Sequence, residues 1–287
     1  MSPASSLLVN IDPEEVPVSK IKVLIALCIT LLLLAVSCIL AGEDYRDNFE
    51  KTLPLKAGDR FSLENVNGDV TIATWAESRV EIKALKIARR HKEDLDKVEI
   101  RVEEGAGSVS VKAVWPKFPR RADVSVSFEI RVPEGVLLDE VETVNGGIEI
   151  TGRYGRINTG TTNGSVTVKE ASGELRAGTT NGGILVQTFE GRVEAETTNG
   201  NVRLEGLTFK DGLSAETTNG SISLAIASPE TLNADLRAGV TNGHITVDFP
   251  VTLKNLTQSR RKLEARIGQG GPEISLHTTN GSIKLTK

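Results

Sequence analysis

The chain has 287 residues, 25% of them charged, and a formal net charge of −4. That length holds one large domain or two small ones, and the slight acidity excludes the basic footprint of a nucleic-acid-binding protein. Aromatic residues make up 4% and Met occurs once, whereas Gly reaches 27 and Thr 26, a balance that suits pleated strands with many turns.

Residues 1–19 carry Pro3, Pro13 and Pro17 among scattered serines and read as a disordered cytoplasmic tail. Residues 20–42 hold an uncharged run from Val23 to Ala41. As a helix this run spans about 28 Å, close to the hydrocarbon thickness of a bilayer, and predicts one transmembrane or signal-anchor helix. Lys20 and Lys22 precede it, and Glu43, Asp44 and Asp47 follow. The positive-inside rule therefore predicts a single-pass protein of the cell membrane with residues 43–287 extracytoplasmic. Retention as an anchor, cleavage after Ala41 and lipidation at Cys38, which follows Ala35-Val36-Ser37, all fit the segment. The only other cysteine, Cys28, lies in the same run. The remainder of the chain has no thiol for a disulfide, a Cys-based zinc site or a cysteine nucleophile.

Residues 43–144 form a degenerate, β-rich first half. Phe61, Leu63, Asn65 and Asn67, then Val70 and Ile72, match a unit that recurs later, and strands are predicted at Val80–Leu85, Val98–Val102, Val109–Val114 and Val124–Val132. The charged stretch Ala88–Lys97 predicts a short surface helix. This half is expected to cap the apolar end of the later repeats.

Residues 145–287 are regular. Asn-Gly occurs at Asn67, Asn145, Asn163, Asn181, Asn199, Asn219, Asn242 and Asn280, with three consecutive intervals of 18 residues, and Thr-Thr precedes it at 161, 179, 197, 217 and 278. Counted from each Asn, apolar or small residues sit at −6, −4, −2, +3 and +5, so two half-buried strands meet at each Asn-Gly. Asn-Gly between alternating strands is the signal of an antiparallel hairpin meander, in which only Asn and Gly need recur. The recurring Thr-Thr fits a single-stranded β-solenoid better: stacked Thr and Asn side chains about 4.8 Å apart can hydrogen-bond as a ladder, with Gly supplying the corner. The expected fold is all-β, a solenoid of about 18–20-residue coils, with the meander as the alternative.

The run LKAGDRFSLENVNGDVTIATWAESRVEIKA, the later IRVPEG, the TTNG units and the closing ARIGQGGPEISLHTTNGSIKL resemble the bacterial "putative adhesin" family over residues 48–287. The resemblance implies a β-helix-like domain of unknown function at the cell envelope, with roles in adhesion or envelope-stress sensing. It supplies no catalytic residues.

Catalytic and metal chemistry find little in the residues themselves. His91, His244 and His277 lack ligand spacing, so no metal or cofactor is expected. Glu142, Glu194, Glu196 and Glu216 share outward positions, which keeps open a polysaccharide-active enzyme with paired carboxylates; a solvated acidic face fits the same pattern, and no enzyme activity is expected. Exposed aromatics suited to glycan stacking are limited to Trp75, Trp115, Tyr45 and Tyr154. Trp115, Lys117, Arg120 and Arg121 lie in one basic loop, and Arg260 and Arg261 in another; both are candidate contacts for anionic polymers or headgroups. The chain is expected to bind an envelope polymer, peptide or protein, with a passive structural spacer as the third reading.

Overall fold

Alternation of Val, Ile and Leu with polar residues makes most of this chain strand, and the pairing of those strands decides the architecture. The computed structural model describes residues 44–116, 122–226, 231–248 and 253–287. The apolar segment with Cys38, and Lys117, Arg120 and Arg121, lie outside the described residues. Among the described residues no helix is long and apolar enough to cross a membrane. Asp44–Lys287 form one unit.

Seven strands precede the regular repeats: β1 (Tyr45–Pro54), β2 (Arg60–Glu64), β3 (Val70–Trp75), β4 (Arg79–Ala88), β5 (Glu99–Gly105), β6 (Ser108–Val114) and β7 (Val124–Pro133). β2 and β3 flank Asn67 and form the first coil. Beyond that coil, β6 pairs parallel to β2 and β7 parallel to β3. Pairing then turns antiparallel, β5 against β6, β4 against β7 and β1 against β4. The expected helix over Ala88–Lys97 shrinks to a 3-10 turn at Lys92–Lys97. Ala88 instead ends β4, fully buried and opposite both Tyr45 and Val124, so sheet pairing overrides local helix-forming composition.

The repeats follow as β8 (Leu137–Asn145), β9 (Ile148–Asn163), β10 (Val166–Asn181), β11 (Ile184–Asn199), β12 (Val202–Glu205), β13 (Thr208–Asn219), β14 (Ile222–Ala225), β15 (Ala234–Asp248), β16 (Leu253–Gln258), β17 (Lys262–Ile267) and β18 (Glu273–Thr286). β8, β9, β10, β11 and β13 pair parallel, each Asn opposite the next. This is the register of stacked coils; an antiparallel meander would reverse alternate units. Inward residues such as Val166, Val168, Leu175 and Ala177 are buried in one continuous apolar core.

The Thr-Thr-Asn-Gly corner explains its own recurrence. Asn181 Nδ2 donates to Asn163 Oδ1 at 2.9 Å, and Asn199 Nδ2 to Asn181 Oδ1 at 2.9 Å. The same bond links Asn67 to Asn145, Asn145 to Asn163, Asn199 to Asn219, Asn219 to Asn280 and Asn280 to Asn242. The first Thr does not bond to another Thr, as a side-chain ladder would require. It points inward, and the buried Thr179 hydroxyl donates to the carbonyl of Gly164 in the preceding coil at 2.9 Å. Thr161, Thr197, Thr217 and Thr278 repeat this bond to Gly146, Gly182, Gly200 and Gly220. Gly is required by close approach more than by a left-handed corner. A Cβ on Gly182 would run into the Gly164 carbonyl, while the Gly182 N–H donates to Asn199 O at 3.0 Å.

The spatial order departs from chain order at one end. β18, with Asn280, pairs parallel to β13 and β14 on one side and to β15 on the other. The last coil in sequence is thus inserted before the coil of Asn242. The outer coil is closed by β17, antiparallel to β15, and by β16 on β17. Antiparallel strands therefore close both ends of the parallel stack.

These corner roles rank three substitutions in urea unfolding of the chain. Gly182→Ala is expected to cost about 3 kcal/mol through overpacking against backbone. Thr179→Val is expected to cost about 1–2 kcal/mol because a half-buried carbonyl loses its donor. Asn181→Ala, on an exposed ladder, is expected to cost about 1 kcal/mol.

Candidate ligand-binding face

Outward positions in the last four residues before each Asn form continuous columns, because no register shift falls there. Three residues before Asn, the column runs in stack order through Glu64, Glu142, Gly160, Gly178, Glu196, Glu216, His277 and Gly239. Gly160 and Gly178 interrupt a row of long side chains and leave a depression of about 530 Å³. The exposed threonines Thr162, Thr180 and Thr198 border it on one side, Glu142 and Glu196 flank the two glycines, and Glu64 lines it beyond Glu142. On the other side Asn158, Arg176 and Glu194 line an adjoining hollow, where Arg176 donates to Glu194 at 2.8 Å.

Neither glycine is needed for packing. A Cβ on Gly178 would meet nothing within 4 Å, and one on Gly160 would make an ordinary contact of 3.6 Å with the Gly178 carbonyl. A strand-interior glycine without such a reason weakens its strand and leaves room for a closely approaching ligand.

A larger groove of about 1000 Å³ lies along the opposite bends, between Arg153 and Asp211. Its glycine floor has a structural cause: a Cβ on Gly173 would meet the Tyr154 carbonyl at 2.5 Å, and one on Gly191 would strike the Gly173 carbonyl. The same bends hold Glu170 at φ 47° and Thr188 at φ 53°, and the neighbouring coils turn at Gly152 and Gly206, at φ 112° and 62°; Gly152 stands opposite Ala171, so Glu170 is a bulge residue. Sequence pattern gave no sign of these left-handed bends, because two of the four residues are not glycine.

The aromatic candidates disperse. Tyr154 is buried, its hydroxyl donating to Thr151 O at 2.9 Å, and burial pushes its phenol well above the usual range. Trp75 donates to Arg79 O at 2.8 Å and carries the Arg79 guanidinium 5.3 Å above its ring. Trp115 packs half-buried against the core. Tyr45 is exposed but lies on β1. Arg260 and Arg261 are exposed, and their carbonyls accept from Ile245 and Val240 at the far end of the stack. Trp115, the Arg260–Arg261 turn and the glycine notch are therefore separate features, and the notch was not anticipated as a site. Among the described residues no His, Cys, Asp or Glu cluster is arranged to hold a metal.

The Glu142 carboxyl is raised above the ordinary glutamate range, first by burial and then by the carboxylates of Glu140 and Glu64. A raised folded-state pKa means that ionisation opposes folding, so this contribution is lost as pH rises above the unfolded value of about 4.3. Glu142→Gln is accordingly expected to raise the urea midpoint at about pH 7 and to leave it unchanged at about pH 3.5. Glu170→Gly and Thr188→Gly are each expected to stabilise by about 0.5–1 kcal/mol, since relief of left-handed strain exceeds the extra entropy of glycine; thermal unfolding of the variants checks this.

Among solved structures, the chain is similar to a "putative cell adhesion protein" from Clostridium sporogenes ATCC 15579, at 14% identity and TM-score 0.36, covering 84% of this chain and 99% of that one. It is also similar to a "putative adhesin" from Bacteroides fragilis NCTC 9343, at 11% identity and TM-score 0.39, covering 83% and 97%. Another such structure, from Parabacteroides merdae ATCC 43184, has 11% identity and TM-score 0.37, covering 84% and 97%. No curated protein matches the chain. The family model described as Toastrack DUF4097 matches residues 46–286, and the chain belongs to that family.

Proposed function

We propose that the protein is a membrane-tethered, extracytoplasmic adhesin-like module that binds an extended polyhydroxyl polymer of the cell envelope along the face centred on Gly160 and Gly178. One observation carries this reading: two adjacent glycines that packing does not require open a notch between Glu142 and Glu196. From Glu142 to Glu196 the notch extends over three coil spacings, about 14 Å, long enough for a linear segment. The hydroxyls of Thr162, Thr180 and Thr198 offer both donors and acceptors, and Glu142 and Glu196 accept from sugar hydroxyl or amino groups. Carboxylates at both ends favour a neutral or amino-bearing polymer over an anionic one. Tethering rests on the uncharged run from Val23 to Ala41 with Lys20 and Lys22 before it and Glu43, Asp44 and Asp47 after it. Binding without catalysis is the reading; Glu196 and Glu216 stand side by side in register, so retained glycan cleavage by the chain, abolished in Glu216→Gln, would replace it with a polysaccharide-active enzyme.

Gly160→Thr and Gly178→Thr fill the notch where space is open and β propensity gains. The native chain in detergent is expected to co-sediment saturably with purified peptidoglycan, and the double variant to lose at least about tenfold in affinity, roughly 1.4 kcal/mol, without loss of thermal stability. Equal retention of both proteins, or retention of neither, overturns the proposal.

A further inference from the structure

Strand β1 ends the sheet. Its ten residues pair antiparallel with β4 in an unbroken register from Tyr45–Ala88 to Pro54–Arg79, and among the described residues no strand pairs with its other edge. An edge of this length, without a bulge, presents a row of backbone donors and acceptors that can template another strand. β1 has no bulge; it keeps Phe49 and Leu53 packed against the core and leaves Tyr45 exposed at 41%. The two charges on that same face, Asp47 and Lys51, oppose pairing with an unmatched edge but permit a partner that complements them.

The sequence of β1 is complementary to itself. Two copies related by a two-fold axis pair antiparallel, and because directly opposed side chains must lie on the same face, only registers that place a residue opposite one of equal parity are allowed. Centring the pair on Phe49 sets Phe49 opposite Phe49, Tyr45 opposite Leu53 twice, and Asp47 opposite Lys51 twice. On the other face Arg46 meets Thr52 and Asn48 meets Glu50. No like charges face each other. Moving the centre one residue toward the C-terminus opposes Glu50 to Glu50, and moving it two residues toward the N-terminus opposes Asp47 to Asp47. Centring on Asn48 also avoids like charges and sets Arg46 opposite Glu50 twice, but it places Asp47 opposite Phe49 and Lys51 opposite Tyr45, losing the apolar pairs.

We infer that β1 is a homodimer interface: a second copy of this chain adds its own β1 antiparallel, centred on Phe49, with the Phe49–Phe49 and Tyr45–Leu53 contacts and two Asp47–Lys51 ion pairs together fixing the register. The interface is at the end of the stack, away from the Gly160–Gly178 notch, so it stands or falls independently of the ligand reading. It joins two stacks end to end and presents two ligand faces from one assembly, which raises avidity for a polymer that both can reach.

Charge reversal tests this in the full chain in detergent. Asp47→Lys opposes Lys to Lys and Lys51→Asp opposes Asp to Asp, so each variant alone is expected to self-associate at least about tenfold more weakly than the native chain. Mixing the two variants restores both ion pairs and is expected to restore the dimer, read by sedimentation velocity. Asp47 also pairs with Lys86 at 2.7 Å, so thermal unfolding accompanies each variant; Lys51→Asp leaves that contact intact. A native chain that stays monomeric at tens of micromolar, single variants that dimerise like the native chain, or a mixture no more associated than its components would each overturn the inference.

Discussion

The distance between coils at the Asn-Gly corner is the constraint on which the rest depends. Successive glycine backbones approach so closely that no side chain fits between them, and that contact brings Thr hydroxyls within reach of Gly carbonyls and Asn amides within reach of one another. Once the spacing is set at one corner, parallel backbone pairing extends it along both strand segments of each coil. The buried Thr bond uses a polar group inside the core without leaving it unpaired, and the exposed Asn ladder satisfies side chains that would otherwise compete for backbone. The corner is thus a register device: slipping one coil would oppose Asn to Thr and break three kinds of contact together.

Regularity of this kind leaves the outer surface free to vary. In the column that runs from Glu64 to Gly239, charge, size and sign change from coil to coil while the backbone does not. The acidic end, the glycine notch and the His277 end are therefore features written on an unchanging scaffold. The bends opposite the corner behave differently, because glycine there is demanded by backbone contact at Gly173 and Gly191 and by backbone torsion at Gly152 and Gly206. Separating glycines that packing requires from glycines that it does not is what distinguishes the smaller notch from the larger groove.

Parallel stacks expose apolar ends, and this chain closes both by changing strand direction. At one end β6 and β7 extend the stack before β5, β4 and β1 reverse it; at the other β17 and β16 do the same beyond β15. Insertion of β18 between earlier coils places the final Thr-Thr-Asn-Gly unit in the interior, so the coil of Asn242 becomes the terminal one. Capping strands shield the core but leave an edge of their own, and β1 is the edge whose sequence matches itself.

Much of this was legible in the sequence. The 18-residue period, the inward parity of Val, Ile and Leu and the recurrence of Thr-Thr beside Asn-Gly determined an all-β chain of stacked units, because these are local patterns that repeat until they fix a register. The apolar run and its flanking charges likewise belong to the sequence alone. Only tertiary structure decided that Thr bonds to a glycine carbonyl and that Ala88 belongs to a strand, since both depend on residues distant in the chain. The insertion of β18 and the dispensability of Gly160 and Gly178 to packing were likewise decided there. A sequence shows which residue is small or polar; which backbone it lies against is set by neighbours 15, 18 or 61 positions away.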